Sequence, residues 1–178
     1  MDREEFTPNE LQEATRIEGI FFRIENATAS DLEKIVNELH RNQPFLMSMM
    51  AGYSQDVPMP VFNDLVLISA GIWEYFKELP NIRQVPLTLK AYQEVERRNV
   101  MALVKASQEK QAANTSSVRG EIFFMRSKIL FAAIIHRVGN SVAIKGLDNE
   151  TRAIILLGLS NVIEALDGVV KNSSRDNK

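Results

Sequence analysis

Two histidines are the side chains best suited to acid–base chemistry in this chain, which contains no cysteine. On a helical wheel, His136 lies with Met125, Ile129 and Ala132 rather than with the charged residues of the same segment. Such a histidine is either a buried base or ligand, or a neutral core side chain hydrogen-bonded to a carbonyl or carboxylate. His40 and His136 both fall in the last turn of a predicted helix, where a cation meets the negative end of the helix dipole. That placement accounts for both histidines, so we prefer the structural interpretation.

A carboxylate and an amide, Glu96 and Asn99, interrupt a helix face that should be apolar. At 100° per residue they fall between Tyr92, Val100 and Leu103. A buried carboxylate must be paired or protonated. The two side chains therefore face a ligand, or they form an interhelix ion pair or lie at a partly exposed helix end, which is the interpretation we prefer. The candidate ligand-binding residues are Glu96, Asn99, His136 and His40.

The sequence contains none of the motifs that mark the commoner enzymes: no GxxxxGK[ST] phosphate loop, no GxGxxG, no HExxH and no GxSxG. Without cysteine, the chain cannot form a disulfide, a thiolate nucleophile or a cysteine-bound zinc site. A di-iron bundle needs Glu-x-x-His on two helices, but Asn37 and Ala133 stand three residues before the two histidines. We therefore expect no catalytic residue, no metal and no cofactor. Whether the chain is an enzyme stays open, and a non-enzymatic role is favoured.

Charge is distributed unevenly along the chain. Residues 1–38 carry ten acids and four bases, whereas residues 81–138 carry ten bases and four acids. The acidic N-terminal helices either dock against the basic central ones, within the chain or across a dimer, or both lie on a solvated surface of mixed charge. The bases are interleaved with acids and the net charge is −2. The pattern therefore predicts no nucleic-acid partner.

A methionine-rich segment follows Pro44. Four of the seven methionines of the chain fall between positions 47 and 59. Methionine fills irregular gaps in a core and also makes adaptable binding surfaces. Core filling is favoured, and the alternative is a partner groove or a dimer interface formed by Phe45, Met49 and Met50.

These residues lie on six or seven segments with the period of amphipathic helices, separated by proline, glycine and short polar runs. Capping boxes at Thr7 to Glu10 and at Ser30 to Glu33 open the first two helices. The segment from Val118 to Val138 is apolar on two sides, which predicts a central helix. The remaining predicted helices are Phe45 to Tyr53 with an end near Gly52, Val61 to Leu79, Thr88 to about Ala112, and a last one that starts at Asp148 to Glu150.

The fold class predicted is an all-α, single-domain bundle of six to seven helices over residues 1–172, with a disordered tail at 173–178. Only Val142 to Lys145 is ambiguous between helix and strand. The N-terminus is acidic rather than basic and apolar. The most apolar stretches, Ile129 to Ile135 and Ala153 to Ile163, are shorter than the roughly 20 residues of a membrane span. We expect no membrane association and a cytoplasmic location.

The function expected is a non-enzymatic protein–protein interaction or regulatory module that self-associates, most simply as a homodimer, and that has room for an unknown protein partner. The alternative is a small-molecule-binding or hydrolytic helical protein with a pocket between helices near Glu96, Asn99 and His136. An enclosed cavity at those residues favours the alternative. A solid core beneath an exposed apolar patch favours the interaction module.

Overall fold

Helices dominate the chain, of which the computed structural model describes residues 7–79, 82–112 and 125–173. No strand occurs within these ranges, so the predicted all-α class is confirmed. There are eight helices rather than six or seven: α1 (Pro8–Glu25), α2 (Ala29–Asn42), α3 (Pro44–Asp56), α4 (Met59–Phe76), α5 (Leu89–Ala112), α6 (Lys128–Asn140), α7 (Val142–Lys145) and α8 (Asn149–Ser173). The additional helix, α7, is a single turn at the segment that the sequence left ambiguous.

Side-chain caps fix the starts of the first two helices. The hydroxyl of Thr7 accepts the backbone N–H of Glu10, and the Glu10 carboxylate accepts the N–H of Thr7 at 2.8 Å. The backbone and hydroxyl bonds from Thr7 lower the pKa of Glu10. At α2 the predicted box at Ser30 is wrong, because Thr28 caps the helix through the backbone N–H of Asp31. A side-chain hydroxyl cap therefore starts α2 as expected, but at Thr28, two residues before the predicted Ser30.

The longest continuously buried stretch of the described chain lies in α8, whereas the sequence predicted a central helix over 118–138. Residues 158–167 of α8 are buried without interruption. Helix α5 packs along α8, α1 packs against α4 and α6, and α2 and α3 cover α4. The predicted helix from Val118 is wrong where the structure describes it, because Met125–Ser127 are not helical and α6 begins at Lys128. Residues 118–124 lie outside the described ranges, as do residues 174–178 of the predicted tail.

A buried glutamine holds the connection between α4 and α5. Gln43, between α2 and α3, is fully buried. Its Nε2 donates to the carbonyl of Ile82 at 2.8 Å, and its Oε1 accepts the N–H of Leu87 at 2.7 Å. The Gln43 amide thus pairs with one backbone carbonyl and one backbone N–H of this loop, which are not paired within a helix.

Helix α8 is also long and apolar enough to cross a membrane by length and composition, over Asn149–Lys171. That range exceeds the predicted apolar stretch from Ala153 to Ile163, which stops before Glu164. In the folded chain 61% of its most apolar window is buried. A core helix of a globular protein meets the same criteria of length and composition.

Helices α1 and α4 approach closely at a glycine. A Cβ atom at Gly71 would lie far inside van der Waals contact with Cε1 of Phe21, whose ring is itself buried. On its other side, the Phe21 ring stacks under the guanidinium of Arg137, 4.0 Å from the ring centroid. A larger side chain at position 71 therefore has to displace a buried ring that Arg137 also contacts.

We expect Gly71→Ala to destabilise the protein by about 1–3 kcal/mol, since an added methyl in a packed core forces side chains and backbone apart. Urea denaturation monitored by circular dichroism measures the effect. The matched control is Gly52→Ala, within α3, where an added Cβ meets nothing within 4 Å and the gain in helix propensity stabilises by up to about 1 kcal/mol. Equal effects of the two substitutions would contradict the close packing of α1 on α4.

Candidate functional site

Asn99 lies inside the molecule, between α5 and α8. The side chain is fully buried, and its Nδ2 donates to Asn161 Oδ1 at 2.8 Å and to Glu164 Oε2 at 2.9 Å. The other Glu164 oxygen pairs with Arg98 at 2.5 Å. The buried carboxylate at this interface is Glu164 of α8, not Glu96 as the sequence pattern predicted, and Asn99 and Arg98 hold it. The structural interpretation of Asn99 accounts for these contacts.

Glu96 lies at the edge of the same interface and is only half-buried. Its negative charge raises the pKa values of Tyr53 and Tyr92, in both cases after the larger effect of burial. The Tyr53 hydroxyl lies against α8, where a Cβ at Gly158 would overlap it. Tyr53, Tyr92 and Glu96 therefore form one cluster where α3 and α5 meet α8.

A second polar cluster surrounds Asp167, one turn further along α8. Its Oδ2 accepts the backbone N–H groups of Arg126 and Ser127 at 2.7 and 3.0 Å, and its Oδ1 accepts the Ser127 hydroxyl at 2.7 Å. The Tyr75 hydroxyl lies 3.4 Å from Ser127 Oγ and donates to Glu13 at 2.7 Å. Asp167 thus satisfies N–H groups at the start of α6, where the helix dipole favours a negative charge.

The two histidines lie elsewhere. His40 is exposed in the last turn of α2, and His136 is exposed on α6, where its Nε2 is 2.9 Å from the side-chain nitrogen of Asn140. The expectation that His136 faces the core is wrong, because its wheel neighbour Ala132 is exposed as well. The cavity that His136 borders lies between α1, α4 and α6, and neither Glu96 nor Asn99 lines it. The structure therefore does not bring these two residues and His136 together in that cavity.

His136 does border a cleft between α1, α4 and α6, which we call the α6 cleft. Its volume is about 320 Å³ and its floor is apolar, formed by Phe21, Ile24, Leu67 and Ile68. The rim carries the polar side chains of Glu25, Asp64, His136, Arg137, Asn140 and Ser141. Of these rim residues, only His136 was a candidate predicted from the sequence, where it was expected to face the core.

The rim hydroxyl is engaged as a structural group. Ser141 Oγ donates to Asp64 Oδ2 at 2.5 Å and accepts the N–H of Ile144 at 2.9 Å, which caps α7. A serine nucleophile needs a hydrogen bond to its base, but His136 contacts Asn140 instead. Within the described ranges, no group of three or more histidine, aspartate or glutamate side chains is arranged to hold a metal ion.

Three of the four methionines of the methionine-rich segment, Met47, Met49 and Met50, lie in or against the core, whereas Met59 is 64% exposed. Met50 is buried and its sulfur accepts the Ser69 hydroxyl at 3.0 Å. Phe45 is half-buried, with its ring 5.3 Å from that of Tyr92, and Met49 packs against the core as well. The predicted interface at Phe45, Met49 and Met50 is wrong as an exposed surface. Helix α3 continues through Gly52 to Asp56, so the predicted end near Gly52 is also wrong.

Comparisons with known proteins give no relative. The chain matches no known protein family, no curated protein and no solved structure.

We expect Asn99→Leu to cost about 2 kcal/mol of folding stability, because it leaves a buried Glu164 oxygen without its donor. Chemical denaturation measures the loss. Asn63→Leu provides the control, since Asn63 is exposed on α4 and surface substitutions usually change stability by less than about 0.5 kcal/mol. A value for Asn99→Leu as small as that of the control would show that the α5–α8 bonds do not stabilise the fold.

All three tyrosines have raised pKa values. Burial raises those of Tyr53 and Tyr75 to about 12, and that of Tyr92 rises for the same first reason. An unfolded tyrosine ionises near pH 10. Between about pH 10 and pH 12 the native state therefore retains protons that the unfolded state has lost, and stability falls as the pH rises through that window.

An ultraviolet titration of tyrosinate checks this expectation. The native protein should titrate at higher pH than the same protein in urea, and Tyr53→Phe should remove one of the late steps. Identical titration curves with and without urea would contradict it.

Proposed function

We propose that this protein is a non-enzymatic interaction module that self-associates, and that the outer face of α5 carries the contact. The observation behind the proposal is a group of large apolar side chains directed to solvent. Val100, Met101 and Val104 are 41%, 66% and 50% exposed. Val104 is four residues after Val100 and three after Met101, so it is a neighbour of both on the helix surface. Three such side chains on consecutive turns form a patch, which scattered surface residues do not.

The patch extends towards the start of the helix and carries positive charge. Leu89 is exposed on the same side, and Lys90 and Arg97 are exposed between the apolar residues. Neither base makes an ion pair with a described residue. We call this set the α5 stripe: Leu89, Lys90, Arg97, Val100, Met101 and Val104. The opposite face of α5 is held by α8 through Asn99, so the stripe is a second, outward face.

A complementary surface occurs on α1. Leu11 and Phe22 are 54% and 68% exposed. With the exposed residues Thr15 and Glu18 they recur at i, i+4, i+7 and i+11, which is one face of a helix. We call these four residues the α1 stripe. Glu18 also pairs with Arg137 of its own chain at 3.1 Å but stays largely exposed.

The two stripes match in chemistry. Both combine large apolar side chains with charge, and the charges are of opposite sign. We therefore infer that the α5 stripe of one copy docks on the α1 stripe of a second copy. Burial of Phe22 and Met101 then supplies the driving force, and Lys90 and Arg97 opposite the acidic α1 set the orientation. In this arrangement the acidic N-terminal segment of one copy lies against the basic central segment of the other. On a solvated surface of mixed charge, the unequal distribution of charge along the sequence would have no such role.

We expect Met101→Glu and Val104→Glu each to shift the protein towards monomer, because each places a carboxylate in the apolar contact, beside the acidic α1 stripe. Sedimentation velocity at micromolar concentration measures the mass. Phe22→Glu, on the other stripe, should have the same effect, and lower salt should strengthen association of the unmodified chain.

Val142→Glu is the matched control, since Val142 is a strongly exposed apolar residue of α7 outside both stripes. It should leave the association unchanged. A protein that is monomeric at high and low salt, or an oligomer that persists in Met101→Glu and Val104→Glu, would refute the proposal.

A further inference from the structure

The α6 cleft has the shape of a small-ligand site. Small-molecule sites occupy roughly 300–1,000 Å³, with mostly apolar walls and a few polar groups that fix orientation. The volume of about 320 Å³ puts the cleft at the lower end of this range. Its size therefore suits an apolar body such as a single ring. None of its lining residues belongs to the α1 stripe or the α5 stripe.

The cleft has an excess of negative charge. Its one arginine, Arg137, is already paired with two carboxylates, Glu18 and Glu25. Asp64 is the further carboxylate at the rim, and its only hydrogen bond to a described residue is from Ser141 to Oδ2. The second oxygen, Oδ1, has no partner within the described ranges. A ligand that enters the cleft therefore meets an acceptor without a donor.

The walls around Asp64 are fixed before any ligand binds. Ser141 restrains the carboxylate at Oδ2, and the same hydroxyl caps α7. Phe21, in the floor, is confined between Gly71 and Arg137. A preformed acceptor beside an apolar floor recognises one kind of small molecule well, namely a cation with an apolar body.

From this geometry we propose that the α6 cleft binds a small organic cation, an amine attached to an aromatic or aliphatic body about the size of one ring. The ammonium group donates to Asp64 Oδ1, where a charge-assisted hydrogen bond forms. The apolar body packs on Ile24, Leu67 and Ile68. An anion is disfavoured, because Arg137 is neutralised and Asp64 repels it. A neutral analogue gains the apolar contact alone.

Isothermal titration calorimetry of the full chain with 2-phenylethylamine, 2-phenylethanol and phenylacetate tests the proposal. The expected order of affinity is amine, alcohol, carboxylate. Asp64→Asn keeps an acceptor for Ser141 but removes the charge, so it should weaken amine binding by about tenfold and leave alcohol binding unchanged. Leu67→Trp should reduce binding of both by filling the floor.

Glu33→Gln is the control, because Glu33 is an exposed carboxylate of α2, and no residue of α2 lines the cleft. It should bind all three probes as the unmodified protein does. The proposal is overturned if no probe binds at millimolar concentration, if amine and alcohol bind equally, or if Asp64→Asn and Glu33→Gln weaken the amine alike. Amide chemical shifts that change on addition of the amine only at residues outside the cleft lining and α7 would also overturn it.

Discussion

A continuously buried stretch of α8, residues 158–167, sets the conditions for the rest of this molecule. Helix α8 carries Asn161, Glu164 and Asp167 within its buried stretch, and each must find a partner inside the protein, because an unpaired buried polar group costs free energy. The three side chains recur every three residues, so they lie along one side of α8. The elements on that side, α5 and the start of α6, meet this requirement with Asn99, Arg98 and the N–H groups of Arg126 and Ser127. Hydrogen bonds therefore specify where α5 and α6 dock, and apolar contact fills the space around them.

That arrangement also explains why α5 has an apolar face that no other part of the described chain covers. Its position and rotation about its own axis are fixed by Asn99 and Arg98, whose contacts with Glu164 leave no freedom to turn Val100 or Met101 inward. A helix held by apolar contacts alone would rotate to bury its most hydrophobic side. The hydrogen bonds on one face of α5 therefore fix its orientation and leave large apolar side chains exposed on the other face. We infer that a second copy of the chain covers this exposed face.

The sequence predicted the local features well and the distant ones poorly. The capping box at Thr7 needs only residues three apart, and the all-α class follows from periodicity alone. Asn99 was recognised as out of place on its helix, but its partners are 62 and 65 positions away, and one sequence contains no signal for them. The predicted burial of His136 was wrong for a different reason. Its wheel assumed a helix continuous from Val118, whereas α6 starts at Lys128, so Met125 is buried without being on the same helix. Gln43 interrupts no periodic pattern, and nothing in its neighbourhood indicated that it holds a loop some 40 residues on.

The α6 cleft shows how one contact serves packing and recognition together. Gly71 lets the Phe21 ring approach α4, and Arg137 then covers the outer face of that ring. Because the Arg137 guanidinium lies over Phe21, it also reaches Glu18 and Glu25, which are on α1 together with Phe21. Arg137 thereby neutralises charge on α1 and leaves Asp64, on α4, as the carboxylate whose charge is not balanced at the rim. The preference of the cleft for a cation is thus a consequence of the close approach of α1 to α4. A side chain larger than glycine at position 71 would disturb the Phe21 ring, the arginine above it and the charge balance of the cleft in that order.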